Sequence, residues 1–282
     1  MDKAEQVTRP CAYHAEGPVW WPAWGGLRWV DMLAGDVLTL DAASGAVGRQ
    51  HVSDVVAALR PRHGGGFVAA VERGFALVGR DDDVRLLGDL WSDRGVRMNE
   101  GGCDPDGRFY AGSMPYDGSP GRGSLYVLAP NGSVREVLGK VTISNGLAWS
   151  SDGSTAYYVD TATQQVDAFS YDAVAGLHDR RLLFTIPVDA GAPDGITVDA
   201  EGMIWVALSG GGAVRRYRTD GVLDGVVEVP VRRVTACTLG GPDLRELYIT
   251  TSREGEDPEP EAGSVFRCRV GVPGLPAATF AG

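Results

Sequence analysis

Five polar residues stand in phase along this chain, and their types suit a hard cation. Glu16, Asn99, Asn145, Asp194 and Thr235 precede Trp29, Phe109, Tyr157, Ile204 and Leu247 by 13, 10, 12, 10 and 12 residues. Each lies just before or inside an apolar run, where an acid or amide is costly to bury without a partner. Taken alone, Asn145-Gly146 and Asp194-Gly195 read as turn dipeptides. Taken together, two carboxylates and two amides offer oxygen donors with no thiolate and no phased imidazole. That set suits Ca²⁺, Mg²⁺ or Mn²⁺ better than zinc or copper. His14, one of four histidines, lies two residues from Glu16. It offers a nitrogen, although a packed or supporting role is the commoner use of such a residue. Arg97 is two residues from Asn99, and strand alternation puts both on one face. As a cation it cannot ligate a metal, but it can meet a substrate.

These residues need elements that bring them to one place. Short aromatic segments recur at Trp29, Phe67, Phe109, Tyr157, Ile204 and Leu247, in steps of 38, 42, 48, 47 and 43 residues. Before each comes a small-residue apolar strand, such as Asn145-Gly146-Leu147-Ala148-Trp149, and then a turn, such as Asp104-Pro105-Asp106-Gly107 or Asp199-Ala200-Glu201-Gly202. After it comes a third strand, such as Gln165-Val166-Asp167-Ala168-Phe169, and a turn such as Asp220-Gly221 into a fourth. Four short antiparallel strands per 40–50-residue repeat define a propeller blade. The expected fold is therefore all-β: a six-bladed β-propeller of four-stranded antiparallel blades around a central channel, with residues 1–282 as a single domain. A two-sheet sandwich has no reason to repeat at this period. Helical periodicity is absent, and only Asp54 to Leu59 passes for a helical turn. Ring closure is expected from a strand near Val7–Ala12 pairing beside Ser264–Val270, which would bring Cys11 and Cys268 together. The first strand of each blade should line the channel and start at one mouth. Blade two has no carboxylate or amide there, and its Arg60-Pro61-Arg62-His63 lies further along.

Composition agrees. Forty glycines, about twice the usual share, are spread along the chain as many tight turns require. The net charge of −11 argues against a nucleic-acid footprint and a polybasic membrane patch. No apolar run approaches the ~18 residues of a spanning helix. The four cysteines form no CxxC pair, and without a secretory signal reduced thiols in a cytoplasm are expected. The acidic stretch from Glu254 to Glu261 lacks the register of a calcium loop and reads as a solvated hairpin connection. Trp20, Trp21 and Trp24 read as blade packing rather than a carbohydrate platform.

The ordered motifs resemble the senescence marker protein-30/gluconolactonase family, also called regucalcin-like sugar lactonases. The matching stretches run from Ala15-Glu16-Gly17-Pro18-Val19-Trp20 through Arg97-Met98-Asn99-Glu100-Gly101-Gly102 to Phe109-Tyr110-Ala111-Gly112-Ser113-Met114. They continue at Ser144-Asn145-Gly146-Leu147-Ala148-Trp149, Tyr158-Val159-Asp160-Thr161, Pro193-Asp194-Gly195-Ile196 and from Thr235 to Thr251. The resemblance implies one divalent ion in the channel, Ca²⁺ first, with Mg²⁺, Mn²⁺, Zn²⁺ or Fe²⁺ as alternatives. It implies Glu16, Asn145 and Asp194 as ligands, and Arg97, Asn99 and Asp117 as substrate contacts. Glu100 stands where the family often has Asp, and Ser209-Gly210-Gly211-Gly212 lacks a Trp often seen before such a run. Both departures bear on substrate identity.

The implied chemistry is hydrolysis of a sugar lactone to the aldonic acid. A divalent ion would polarise the carbonyl and Arg97 would add positive charge. Asp194 would be the general base. If it is also a ligand, monodentate binding would leave one oxygen for the proton. Two alternatives stay open on the same scaffold: another metal-dependent hydrolysis, such as phosphotriester cleavage, and a non-enzymatic divalent-cation or ligand binder.

Overall fold

A computed structural model describes residues 2–255 and 258–282. Six antiparallel sheets form a ring, in the order of the chain. Their inner strands are Ala15–Trp21, Val56–Pro61, Val96–Cys103, Ser144–Trp149, Ala192–Val198 and Val234–Gly240, blades 1 to 6. Each inner strand contacts the next around the axis, and the sixth returns to the first. This is the six-bladed propeller expected from the repeat.

The chain folds this way because each blade alternates a buried face with a turn that forces reversal. In blades 3 and 5 an aspartate makes the turn between the first two strands. The carboxylate of Asp104 accepts from the backbone N–H of Asp106 and Arg108, and from Arg108 Nε at 2.6 Å. Asp199 does the same for Glu201 and Met203, and its other oxygen takes Trp205 Nε1 and Arg216 Nε, both at 2.8 Å. The apolar faces pack blade on blade. Phe75 meets Phe109 edge-on at 5.8 Å between blades 2 and 3, and Trp20 stacks on Tyr248 at 5.6 Å between blades 1 and 6. Trp24 packs edge-on against Phe67, with Arg28 4.7 Å above its ring. Trp20 and Trp24 thus serve blade packing.

Three expectations need correction. The ring is closed by Glu5–Gln6, not by a strand at Val7–Ala12: Glu5 pairs with Arg267 and Gln6 with Phe266, completing blade 6. Val7, Cys11 and Ala12 follow alongside through backbone bonds to Val265 and Gly263. An additional strand, Asp2–Lys3, runs parallel to Leu223–Glu228 and gives blade 5 a fifth strand. Cys11 and Cys268 lie at opposite ends of this seam. Cys11 sits against Gly263, whereas Cys268 lies beyond the Glu5–Arg267 pair. Finally, Asp54 to Leu59 is not helical. Its apolar run is the start of the inner strand of blade 2, buried on both faces, which removes the alternation that marks a half-buried strand.

Glu256 and Asp257 of the acidic stretch lie outside the described residues. Around them Glu259 binds Arg232, and Glu254 reaches His14 at 3.8 Å. The described residues include no helix long and apolar enough to cross a membrane.

Candidate active site

Every inner strand carries one extra residue at the same place. The pairing with the second strand slips between Glu16 and Val19, Val56 and Ala58, Met98 and Gly101, Ser144 and Leu147, Pro193 and Ile196, and Val234 and Cys237. A bulge bends the strand and re-aims a side chain. The slips begin at Glu16 or bracket Asn99, Asn145, Asp194 and Thr235, the residues found in phase. Blade 2 has Ala57 there. Asn145-Gly146 and Asp194-Gly195 therefore lie inside strands and are not turn dipeptides.

Glycine after the polar residue lets these strands converge. A Cβ on Gly146 would stand 2.7 Å from the Asp194 carbonyl oxygen, and one on Gly195 would stand 2.5 Å from Ala236 Cβ. We expect Gly195→Ala to lower unfolding free energy by about 1–3 kcal/mol, the usual range for overpacking. Urea titration measures it, and wild-type stability would contradict this account.

Two further aspartates hold the strand starts. Asp31 Oδ1 accepts from the backbone N–H groups of Tyr13 and His14. Asp160 does the same for Thr142 and Ile143. Sequence reasoning gave neither a role. Their signal was in view, since both close an aromatic second strand at the same repeat position, Trp29-Val30-Asp31 and Tyr158-Val159-Asp160.

At the axis, Glu16, Arg97, Asn99, Glu100, Asn145, Asp194 and Thr235 are all buried. Arg97 Nη1 donates to Asn99 Oδ1 at 2.7 Å and to the Met98 carbonyl, and Asn99 Nδ2 donates to the Ser144 carbonyl at 2.9 Å. Asn99 is thus a brace between Arg97 and blade 4. Asn145 Nδ2 donates to Thr161 Oγ1, which donates to the Pro193 carbonyl, so this amide is oriented with its oxygen free. Asn145 Oδ1, Asp194 Oδ1 and Arg97 Nε are buried without a protein partner. Thr235 is committed elsewhere, donating to the Ala15 carbonyl.

The electrostatics favour an added cation. Burial, then the charges of Asp194 and Glu100, push the Glu16 carboxyl well above its ordinary range. Burial also raises Asp194, with the Asn145 amide pulling the other way and Glu100 reinforcing the rise. Glu100 is raised by burial, and Arg60, 3.9 Å away, opposes this. Three carboxylates thus share a buried region with Arg97 and, behind Glu100, Arg60. A divalent ion fits this donor set: oxygen atoms left orphaned by the protein, with excess negative charge. Among the described residues no three His, Cys, Asp or Glu side chains form a metal cluster by themselves. The candidate set includes an amide, which places it outside that pattern.

His14 lies beside Glu16, buried against Ser252. Its Nδ1 lies 2.7 Å from Ser252 Oγ, and its Nε2 3.9 Å from Glu16 Oε1. Burial first, then Arg97 and Arg233, push its pKa down to about 3, so the imidazole is neutral near pH 7. Asp117 is not brought into the buried cluster. Its side chain is 65% exposed at the rim, 3.7 Å from Arg122, and it accepts from the Ser119 backbone. Tyr116 instead covers Arg97, with its ring 5.6 Å from the guanidinium. Its hydroxyl donates to Glu72. Nothing in the repeat pattern marked Tyr116, because it lies in the loop after a strand.

A six-bladed propeller with oxygen donors and one guanidinium gathered at the start of its inner strands defines the class. The SMP-30/Gluconolactonase/LRE-like region matches residues 14–253, and the chain belongs to that family. It is 37% identical to regucalcin of Sus scrofa over 99% of both chains. It is similar to the crystal structure of a calcium-binding protein, regucalcin, from Agrobacterium tumefaciens, with a TM-score of 0.93 and 30% identity over 99% of this chain and 97% of that one. It is also similar to the structure of a luciferin-regenerating enzyme, with a TM-score of 0.91 and 29% identity over 99% of both.

Proposed function

We propose that this protein is a metal-dependent lactonase that opens a sugar lactone to its aldonic acid. The observation that carries the reading is the pair of orphaned oxygens, Asn145 Oδ1 and Asp194 Oδ1, buried in the cluster that holds Arg97. The family's gluconolactonase name supports the reaction class, and the calcium-binding relative supports a divalent ion.

Glu16, Asn145 and Asp194 would hold the ion, Ca²⁺ first among the candidates. When bound, such an ion polarises a carbonyl and stabilises the negative charge that develops on its oxygen. The side chains supply the rest. Arg97, held by Asn99, would offer its guanidinium to a lactone oxygen or hydroxyl. Asp194 accepts a proton from water as its hydroxide portion bonds to the lactone carbonyl carbon. The ring C–O bond then breaks, and the proton passes to the departing ring oxygen, leaving carboxylic acid and alcohol. Asp117, on the rim, would meet a sugar hydroxyl at the outer end of the substrate.

The test is a panel of aldonolactones offered to metal-stripped and metal-restored protein. Restored protein should hydrolyse at least one member well above the spontaneous rate, and stripped protein should not. Equal rates in both forms would reject metal dependence. No turnover of any lactone by restored protein would reject the lactonase reading.

A further inference from the structure

The inner strands run away from the charged cluster toward the opposite mouth of the channel. There the later residues of the strands, including Trp20, Cys103, Trp149 and Leu239, enclose a cavity of about 390 Å³. One guanidinium, that of Arg60, lines it. The segment following blade 6 crosses this mouth as a strap. It is anchored at one side where Gly274 N donates to Leu244 O and Ala200 N to Pro273 O. It is anchored at the other by Phe280, buried between blades 2 and 3, which exchanges backbone bonds with Pro61 and His63. Between these anchors, residues 275–279 make no backbone hydrogen bond to the described residues. This unbonded span supplies Leu275 to Ala278 to the cavity wall.

The lining defines a ligand class. Trp20 is fixed by its stack on Tyr248, and Trp149 by Tyr110 at 5.6 Å and Tyr171 at 6.1 Å, so the aromatic walls are rigid. Arg60 Nη1 donates to the Leu59 carbonyl, while its Nη2 is 3.9 Å from Glu100, too far for a hydrogen bond. The guanidinium therefore keeps donors for another acceptor. The other charged lining residue, Asp152, is exposed to solvent, and its Oδ1 accepts from the hydroxyls of Ser150 and Ser154. Apolar and aromatic walls with one convergent cation suit a small organic anion.

We propose that the opposite mouth is a second binding site, which takes a small aromatic carboxylate with its ring against the tryptophan walls and its carboxylate on Arg60, beneath the strap. The site is independent of the lactonase reading. The probe is 1-naphthoate, titrated into the full chain by equilibrium dialysis, with neutral 1-naphthalenemethanol as control. Naphthoate should bind saturably at one site, and the alcohol about tenfold or more weaker. Arg60→Gln should weaken naphthoate about tenfold and leave the alcohol unchanged. Ala278→Trp, on the exposed strap, keeps Arg60 and should weaken both by obstructing the mouth. Arg97→Ala should change neither. Absence of saturable binding by the wild type overturns the proposal. So does wild-type affinity in folded Arg60→Gln or, should that variant not fold, in Ala278→Trp. Loss of binding in Arg97→Ala overturns it too, since the probe would then occupy the other mouth.

Discussion

Asp194→Asn should bring lactone hydrolysis close to the spontaneous background, a loss of about 10³-fold. Asp194 is buried at a strand bulge, and its Oδ1 has no protein partner. Burial raises its proton affinity, as a base requires, until a bound cation lowers it again. A carboxamide keeps one oxygen for a cation but cannot accept a proton near neutral pH. The asparagine variant should therefore keep part of its metal while losing turnover, whereas Asp194→Ala should lose both. Hydrolysis rates and elemental analysis on the same samples separate the two roles. Wild-type metal content in Asp194→Ala would refute ligation, and near-wild-type turnover in Asp194→Asn would refute the base.

Arg97→Ala should lower kcat/KM by roughly 30- to 1000-fold, about 2–4 kcal/mol, and leave metal content almost intact. The guanidinium is buried under Tyr116 and braced by Asn99 through Nη1, and its Nε has no protein partner. It cannot be a ligand, so its removal takes positive charge from the site and no donor from the ion. Asn99→Ala should act in the same direction more weakly, because Asn99 positions Arg97 and bonds to Ser144 O. Metal loss in Arg97→Ala would show instead that its charge holds the carboxylate cluster together. Unchanged kcat/KM would remove it from the site.

The propeller was legible because its determinants are local. Each blade needs an apolar strand, a turn such as Asp104 to Gly107 and an aromatic strand, so the 38–48-residue period records the fold directly. The common position of Glu16, Asn145 and Asp194 on the inner strands was legible for the same reason: the phase of the repeat is the phase of the ring. Their separate turn-like dipeptides became strand residues only in three dimensions. Bulges re-aim the side chains, and bare glycine backbones let neighbouring strands close on the axis. Tyr116 over Arg97, Arg60 beside Glu100, the exposed place of Asp117 and the strap over the far mouth all arise between loops or between blades. So does closure by Glu5–Gln6, whose two polar residues carry no strand periodicity and are selected by the unpaired edge of Val265–Arg269. Local pattern thus determined the repeating unit and which polar residues face the axis. Loop contacts and the registry of the last seam were decided by packing between segments far apart in the chain, which no local period encodes.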